Sequence, residues 1–97
     1  MDKIEPMVYL NDAFVPASEA KINIFDEGLL SGASLTDMTR TFGHRPFRLQ
    51  EHLDRLYRSC KYASIEIPLT AGQLLDHTHK LIDANCQLLD THQDLGI

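Results

Sequence analysis

The side chains in this 97-residue sequence best suited to chemistry on an anion are its arginines. Arg40 falls inside a strand-like run, Leu35 to Phe42. Leu35, Asp37, Thr39 and Thr41 face one way there, and Thr36, Met38, Arg40 and Phe42 the other. A long cation held against a sheet surface needs an anion or a wet cavity, although an openly exposed sheet face would accommodate it equally. Arg55 stands off the apolar stripe of a helical segment, four residues after Glu51. Pattern alone makes it a surface arginine in an i,i+4 pair, contributing well under ~1 kcal/mol.

The remaining reactive side chains read as structural. His77 and His79 are two residues apart, about 200° around a helix, and do not share a metal ion. His52 and Asp54 have the same spacing, and no metal site is expected. His44 falls in a predicted hairpin turn and is read as solvated. Arg58 and Lys61 flank Cys60 as they would a reactive thiol, yet Cys60 shares an apolar face with Leu53, Leu56 and Tyr57, which favours packing. There is no Ser-His-Asp set, no GxxxxGK and no GxGxxG.

These residues need elements to position them. Met7 to Val15 predicts two short strands around the turn-forming pair Asn11-Asp12, and Pro16-Ala17-Ser18 breaks the pairing. Lys21 to Phe25 alternates like another strand, and Gly28 and Gly32 frame a compact connection. Gly43-His44-Arg45 predicts a turn between the Leu35–Phe42 strand and a partner starting at Pro46 to Leu49. The period then changes. Leu49, Leu53, Leu56, Tyr57, Cys60 and Ala63 trace one helical face, with Glu51–Arg55 and Asp54–Arg58 as i,i+4 pairs. After Pro68, Thr70 and Gln73 match a capping box, followed by Leu74, Leu75, Thr78, Leu81, Ile82 and Leu89 at helical spacing. His77, His79, Lys80 and Asp83 fall mostly on other faces of that helix. The plan is α+β: an antiparallel sheet with two helices packed on one face, in one small domain over 1–97. Leu95-Gly96-Ile97 turns apolar again like the opening of a further strand, which leads us to expect a truncated domain.

Composition narrows the partners. The net charge of −5, with basic residues scattered and interleaved with acids, excludes a polyanion track for nucleic acid. An apolar fraction of 43% is enough to order the chain. No apolar run approaches the ~20 residues that cross a bilayer, and nothing resembles a secretion signal, so the expected setting is cytoplasmic.

Taken in order, Val8-Tyr9-Leu10-Asn11-Asp12-Ala13-Phe14-Val15-Pro16, Ala20-Lys21-Ile22 leading into Phe25-Asp26-Glu27-Gly28, and above all Phe47 to Cys60 (FRLQEHLDRLYRSC) resemble the start of the class IV, or fold-type IV, pyridoxal-phosphate aminotransferases. The resemblance covers nearly all of the chain. It implies the N-terminal domain of such an enzyme, and it places the cofactor-phosphate arginine of the HLDRL motif at Arg55. A guanidinium fork with paired donors suits a dianionic phosphate. The resemblance also implies that the loop containing Ser31, Thr36, Asp37 and Arg40 forms a substrate-pocket wall. Relatives commonly carry GxxYGxxxFE there. Here Ser31 and Thr36 replace aromatic residues and Asp37 replaces glutamate, while Gly32 and Arg40 are kept, so the lining is smaller and more polar. The lysine that carries the cofactor in this family belongs to a C-terminal domain. Lys3, Lys21, Lys61 and Lys80 match none of its motifs, so no catalytic residue is expected and the isolated chain is expected to be inactive. A homodimer and amino-acid or amine and 2-oxo-acid substrates are implied for the complete enzyme. Two rivals stay open: a fold-type IV lyase similar to aminodeoxychorismate lyase, and a free-standing module binding a small anion or a protein.

Overall fold

The computed structural model describes residues 5–97. The first hairpin forms as its sequence predicts. β1 (Met7–Leu10) pairs antiparallel with β2 (Ala13–Pro16), with Val8 opposite Val15 and Leu10 opposite Ala13. Asn11 and Asp12 both adopt positive φ, 48° and 66°, the left-handed pair that a two-residue hairpin turn requires and that Asn and Asp tolerate. A 3-10 turn at Ala17–Glu19 follows.

Lys21 to Phe25 is not a strand. The side chain of Asn23 accepts from the Phe25 N–H at 2.8 Å and its carbonyl accepts from the Asp26 N–H, so the backbone bends before the alternation meets a partner. Ile22, Ile24 and Phe25 are left exposed. Asp26 then caps a single helical turn, α1 (Glu27–Leu30), by accepting from the Gly28 N–H.

The expected long strand from Leu35 to Phe42 is reduced to its last residues. Thr39 exchanges backbone hydrogen bonds with Ile97, Arg40 bridges to Gly96, and the Thr41 N–H donates to the Leu95 carbonyl. The Leu95–Ile97 segment thus pairs in extended form, as its apolar character suggests. β3 (Thr41–Phe42) turns through Gly43 and His44, both at positive φ, into β4 (Arg45–Pro46). Arg48 takes a left-handed conformation and Leu49 opens a helix, which corrects the strand expected from Pro46 to Leu49. The sheet is therefore two separate two-stranded hairpins, because the segments that would have joined them into one lack partners.

The helices carry the core. In α2 (Leu49–Tyr62), Leu49, Leu53 and Cys60 are buried, and in α3 (Ala71–Cys86), Thr78, Ile82, Asn85 and Cys86 are buried. Leu49, Leu53, Ile82 and Cys86 form the centre, flanked by Leu74, Leu75, Leu95 and Ile97. The helices thus pack chiefly on each other, whereas the sequence suggested packing on a shared sheet face. The Thr70–Gln73 capping box is present in both directions. β1 docks on α3 through Asn85, whose Oδ1 accepts from the Met7 N–H at 2.7 Å while its Nδ2 donates to the Met7 carbonyl at 2.9 Å. Among the described residues no helix is long and apolar enough to cross a membrane. The architecture is α+β, with two small antiparallel sheets and two main helices.

Candidate functional site

Asp37 precedes the point at which the chain begins to pair with the Leu95–Ile97 segment, and its carboxylate is drawn onto the exposed flank of α2. Arg55 grips it with a two-point fork, Nε to Oδ2 at 2.8 Å and Nη2 to Oδ1 at 2.7 Å. His52, one turn earlier on the same face, brings Nδ1 to within 2.9 Å of Oδ1. The same nitrogen lies 3.0 Å from Nη2 of Arg55. Because Nη2 only donates, a bare Nδ1 would set its lone pair against the carboxylate oxygen. Donation from Nδ1–H to Asp37 engages the anion and is the better assignment.

The Arg55 hydrogen bonds, followed by that of His52, hold the Asp37 carboxyl well below the usual carboxylate range. Arg55 is shifted upward in return, first by its hydrogen bond to Asp37. Asp37 is nearly buried, with 10% of its side chain exposed, whereas 57% of Arg55 remains open to solvent. The fork is thus fixed from below and accessible from above. A shallow hollow of about 120 Å³ lies over it, lined by Arg48, Glu51, His52 and Arg55.

The ion pairs expected from α2 alone do not form. Glu51 stands 3.7 Å from Arg48, and Asp54 accepts from the Gln50 amide. Asp37 outcompetes Glu51 for Arg55 because its fixed carboxylate meets the guanidinium edge at two points, whereas an exposed i,i+4 pair must first order two long side chains.

Of the four loop residues singled out in the sequence, only Asp37 joins Arg55. Ser31 closes α1 locally, its Oγ donating to the Glu27 carbonyl and lying 2.9 Å from the Glu27 carboxylate. Thr36 is exposed. Arg40 belongs to a second cluster: its Nη2 lies 3.6 Å from Asp94, its Nε donates to the Thr41 carbonyl, and its guanidinium stacks over Phe42. The cation in the strand run did find an anion, although 53% of its side chain stays exposed. Asp94 also accepts from the His44 N–H and the Thr41 hydroxyl, and these donors lower its pKa.

His44 is not merely solvated. Its Nε2 reaches the carbonyls of Asp90 and Gln93 at 3.0 and 2.8 Å, tying the second hairpin to the segment after α3. His52 was missed in the sequence as a partner of Arg55, although residues three apart share a helical face and that spacing was the available signal. Asp94 lies fifty or more residues from the groups it binds, and no local signal marks it. Among the described residues no group of three or more His, Cys, Asp or Glu is placed to hold a metal ion. Lys3 lies outside the described residues.

The arrangement is a small α+β unit presenting a largely exposed arginine braced by a nearly buried acid. The class IV amino-transferase family model matches residues 34–88, the span that contains Asp37, His52 and Arg55. The chain belongs to the class IV aminotransferase family. It is 39% identical over 98 residues to a Methanocaldococcus jannaschii protein whose name assigns it as a branched-chain-amino-acid aminotransferase, covering 93% of this chain and 34% of that one. It is 30% identical over 78 residues to a D-alanine aminotransferase of Staphylococcus aureus, covering 80% and 28% of the two chains. It is also 30% identical over 79 residues to an aminodeoxychorismate lyase of Bacillus subtilis, covering 81% and 27%. The chain therefore spans about a third of the length of the curated relatives it matches.

Proposed function

We propose that this chain is the N-terminal domain of a pyridoxal-phosphate aminotransferase and that Arg55 receives the phosphate of the cofactor. Class IV aminotransferases work with pyridoxal 5′-phosphate, which when bound supplies the carbonyl and electron-withdrawing ring on which amino groups are exchanged. The observation that carries the reading is the Asp37–Arg55 fork. Arg55 uses Nε and Nη2 on Asp37, and more than half of its side chain stays exposed beside the hollow. These residues fit a phosphate. The guanidinium stays charged at any working pH, and with its orientation already fixed it gives up little freedom on binding. Asp37 and His52 act as positioning residues that hold Arg55.

In this reading Ser31, Thr36 and Arg40 border the substrate side, and the substrates are an amino acid or amine and a 2-oxo acid. On the same reading the fragment alone is inactive, because Lys21, Lys61 and Lys80 match no cofactor-lysine motif of the family. Exposed Phe25, Leu29, Leu30 and Met38 support a covering surface from a second copy in a homodimer or from further chain. Two free cysteines support a cytoplasmic setting. The similarity to a lyase supports a second reading, in which the same arginine anchors the same cofactor for bond cleavage.

The test is titration of the chain with pyridoxal 5′-phosphate and with pyridoxal, followed by amide NMR shifts, in the wild type and in Arg55→Ala. The phosphate ester is expected to bind at least about tenfold tighter than pyridoxal, the gain of a charge-assisted fork, and Arg55→Ala is expected to erase the difference. Equal binding of both compounds by the wild type would remove Arg55 from the role. Turnover of an amino donor by the isolated chain would overturn its inactivity.

A further inference from the structure

The hollow over the Asp37–Arg55 fork has an arginine at each end. Arg48, Glu51, His52 and Arg55 line it, and their steps of three, four and seven residues place them on one face of α2 and its first flanking residue. At about 120 Å³ the hollow is small enough that an oxyanion inside it lies beside both guanidinium groups.

Arg48 comes to this place through a disfavoured backbone. It precedes α2 in the left-handed region, with φ 51° and ψ 37°, and no side chain caps the helix there. Glycine or asparagine adopts that region more easily than a long β-carbon-bearing residue does. An arginine held there is an outlier of the kind that functional sites carry. Its guanidinium, by contrast, is held loosely. The Phe47 ring centroid lies 5.4 Å from it, and Nη1 is 3.7 Å from Oε2 of Glu51, beyond hydrogen-bond length. The Arg48 and Glu51 side chains are 64% and 69% exposed, and a pair so placed is weak and exchanges partners readily.

The charge balance of the hollow depends on that exchange. Asp37 cancels the charge of Arg55 through two hydrogen bonds, and Glu51 offsets Arg48. With all four groups in place, an incoming dianion gains hydrogen bonds from Arg55 but little net attraction. Asp37 is nearly buried and gripped by Arg55 and His52, so it stays. Glu51 is free to turn into solvent, and Arg48 then becomes the uncompensated cation of the hollow. A phosphate ester carrying close to two negative charges and three acceptor oxygens competes for that cation better than a single carboxylate does.

We propose that Arg48 is a second phosphate-contacting residue of this site and that Glu51 is its resident anion, displaced when the phosphate arrives. The inference rests on Arg55 receiving the phosphate, and it adds the residues that set the strength of that contact. Arg48 tightens the binding of a dianionic ester, and Glu51 weakens it.

The experiment follows amide NMR shifts of the 97-residue chain titrated with pyridoxine 5′-phosphate and with pyridoxine at about pH 7.5, where the ester is close to dianionic. Neither compound carries an aldehyde, so no lysine reacts with it. Arg48→Gln is expected to weaken binding of the ester about threefold and Glu51→Gln to tighten it about threefold, with pyridoxine unaffected in both. Arg48→Lys, which keeps the charge, should recover most of the loss, and its failure to do so would assign the effect to the start of the helix and overturn the inference. In the Arg48→Gln background the gain from Glu51→Gln should shrink. An undiminished gain there would make Glu51 a distant repellent and overturn its role as the anion of Arg48. Methyl signals of Leu53 and Ile82 in the core check that each variant is folded. An ester preference erased by Arg55→Ala, yet unmoved by Arg48→Gln and Glu51→Gln, would overturn this inference alone. No preference for the ester in the wild type would overturn the reading of Arg55 and this inference with it.

Discussion

Replacing Asn85 by aspartate tests how the hairpin is attached. The amide is 92% buried and makes three bonds: it accepts from the Met7 N–H and donates to the carbonyls of Met7 and Leu81. Aspartate keeps the acceptor and loses both donors, and it sets an oxygen against the Met7 carbonyl at the 2.9 Å separation now spanned by a hydrogen bond. Two lost bonds at about 1 kcal/mol each, with about 1 kcal/mol more for the unpaired acceptors, give a destabilisation of about 3 kcal/mol. Asn85→Ala removes all three bonds and leaves both Met7 groups unpaired, at about 3 kcal/mol. Urea unfolding followed by far-UV circular dichroism reads both. The aspartate penalty should shrink as pH falls toward about 4, where a protonated carboxyl donates again. A change within about 0.5 kcal/mol for either variant would refute the two-point clamp.

Asp37 carries a second prediction. Its folded pKa lies below the unfolded value, so its contribution is complete above about pH 4 and is lost as pH falls further. Asp37→Asn should flatten the fall of the urea midpoint with acid below about pH 4, and an unchanged slope would count against the Arg55–His52 brace. Ile82 is 2% exposed at the helix–helix centre, and Ile82→Ala should cost about 3 kcal/mol by the same unfolding assay, against under about 0.5 kcal/mol for Met38→Ala, where 72% is exposed. Thr70→Ala removes one half of the capping box and should lower stability by about 1 kcal/mol, seen as a shift in the thermal midpoint.

What could be read from the sequence follows the range of the interactions. The Asn11-Asp12 turn, the apolar stripe of α2 and the Thr70–Gln73 box are settled within a few residues, and each appears where its pattern puts it. Lys21 to Phe25 has the alternation of a strand, but alternation states only which faces would differ, and the ladder needs a neighbour. Asn23 bends the chain instead. Arg55 was visible as a residue off the core stripe, while its true partner was not. Glu51 is the near acid in sequence, and Asp37, eighteen residues away, is the near acid in space. The tie of His44 to the 90–94 segment was equally hidden, since it depends on a turn docking against a distant loop.

The pairing of Thr39 with Ile97 has a practical consequence. The C-terminal residue of this chain is two positions along a bonded backbone from Asp37. A tag or dye attached there would sit beside the Arg55 brace, so an affinity handle placed at that end risks masking the very surface to be measured. The same adjacency makes Ile97 a good anchor for a reporter. A small environment-sensitive fluorophore joined to its carboxyl should sense an anion settling on Arg55 without any substitution in the site.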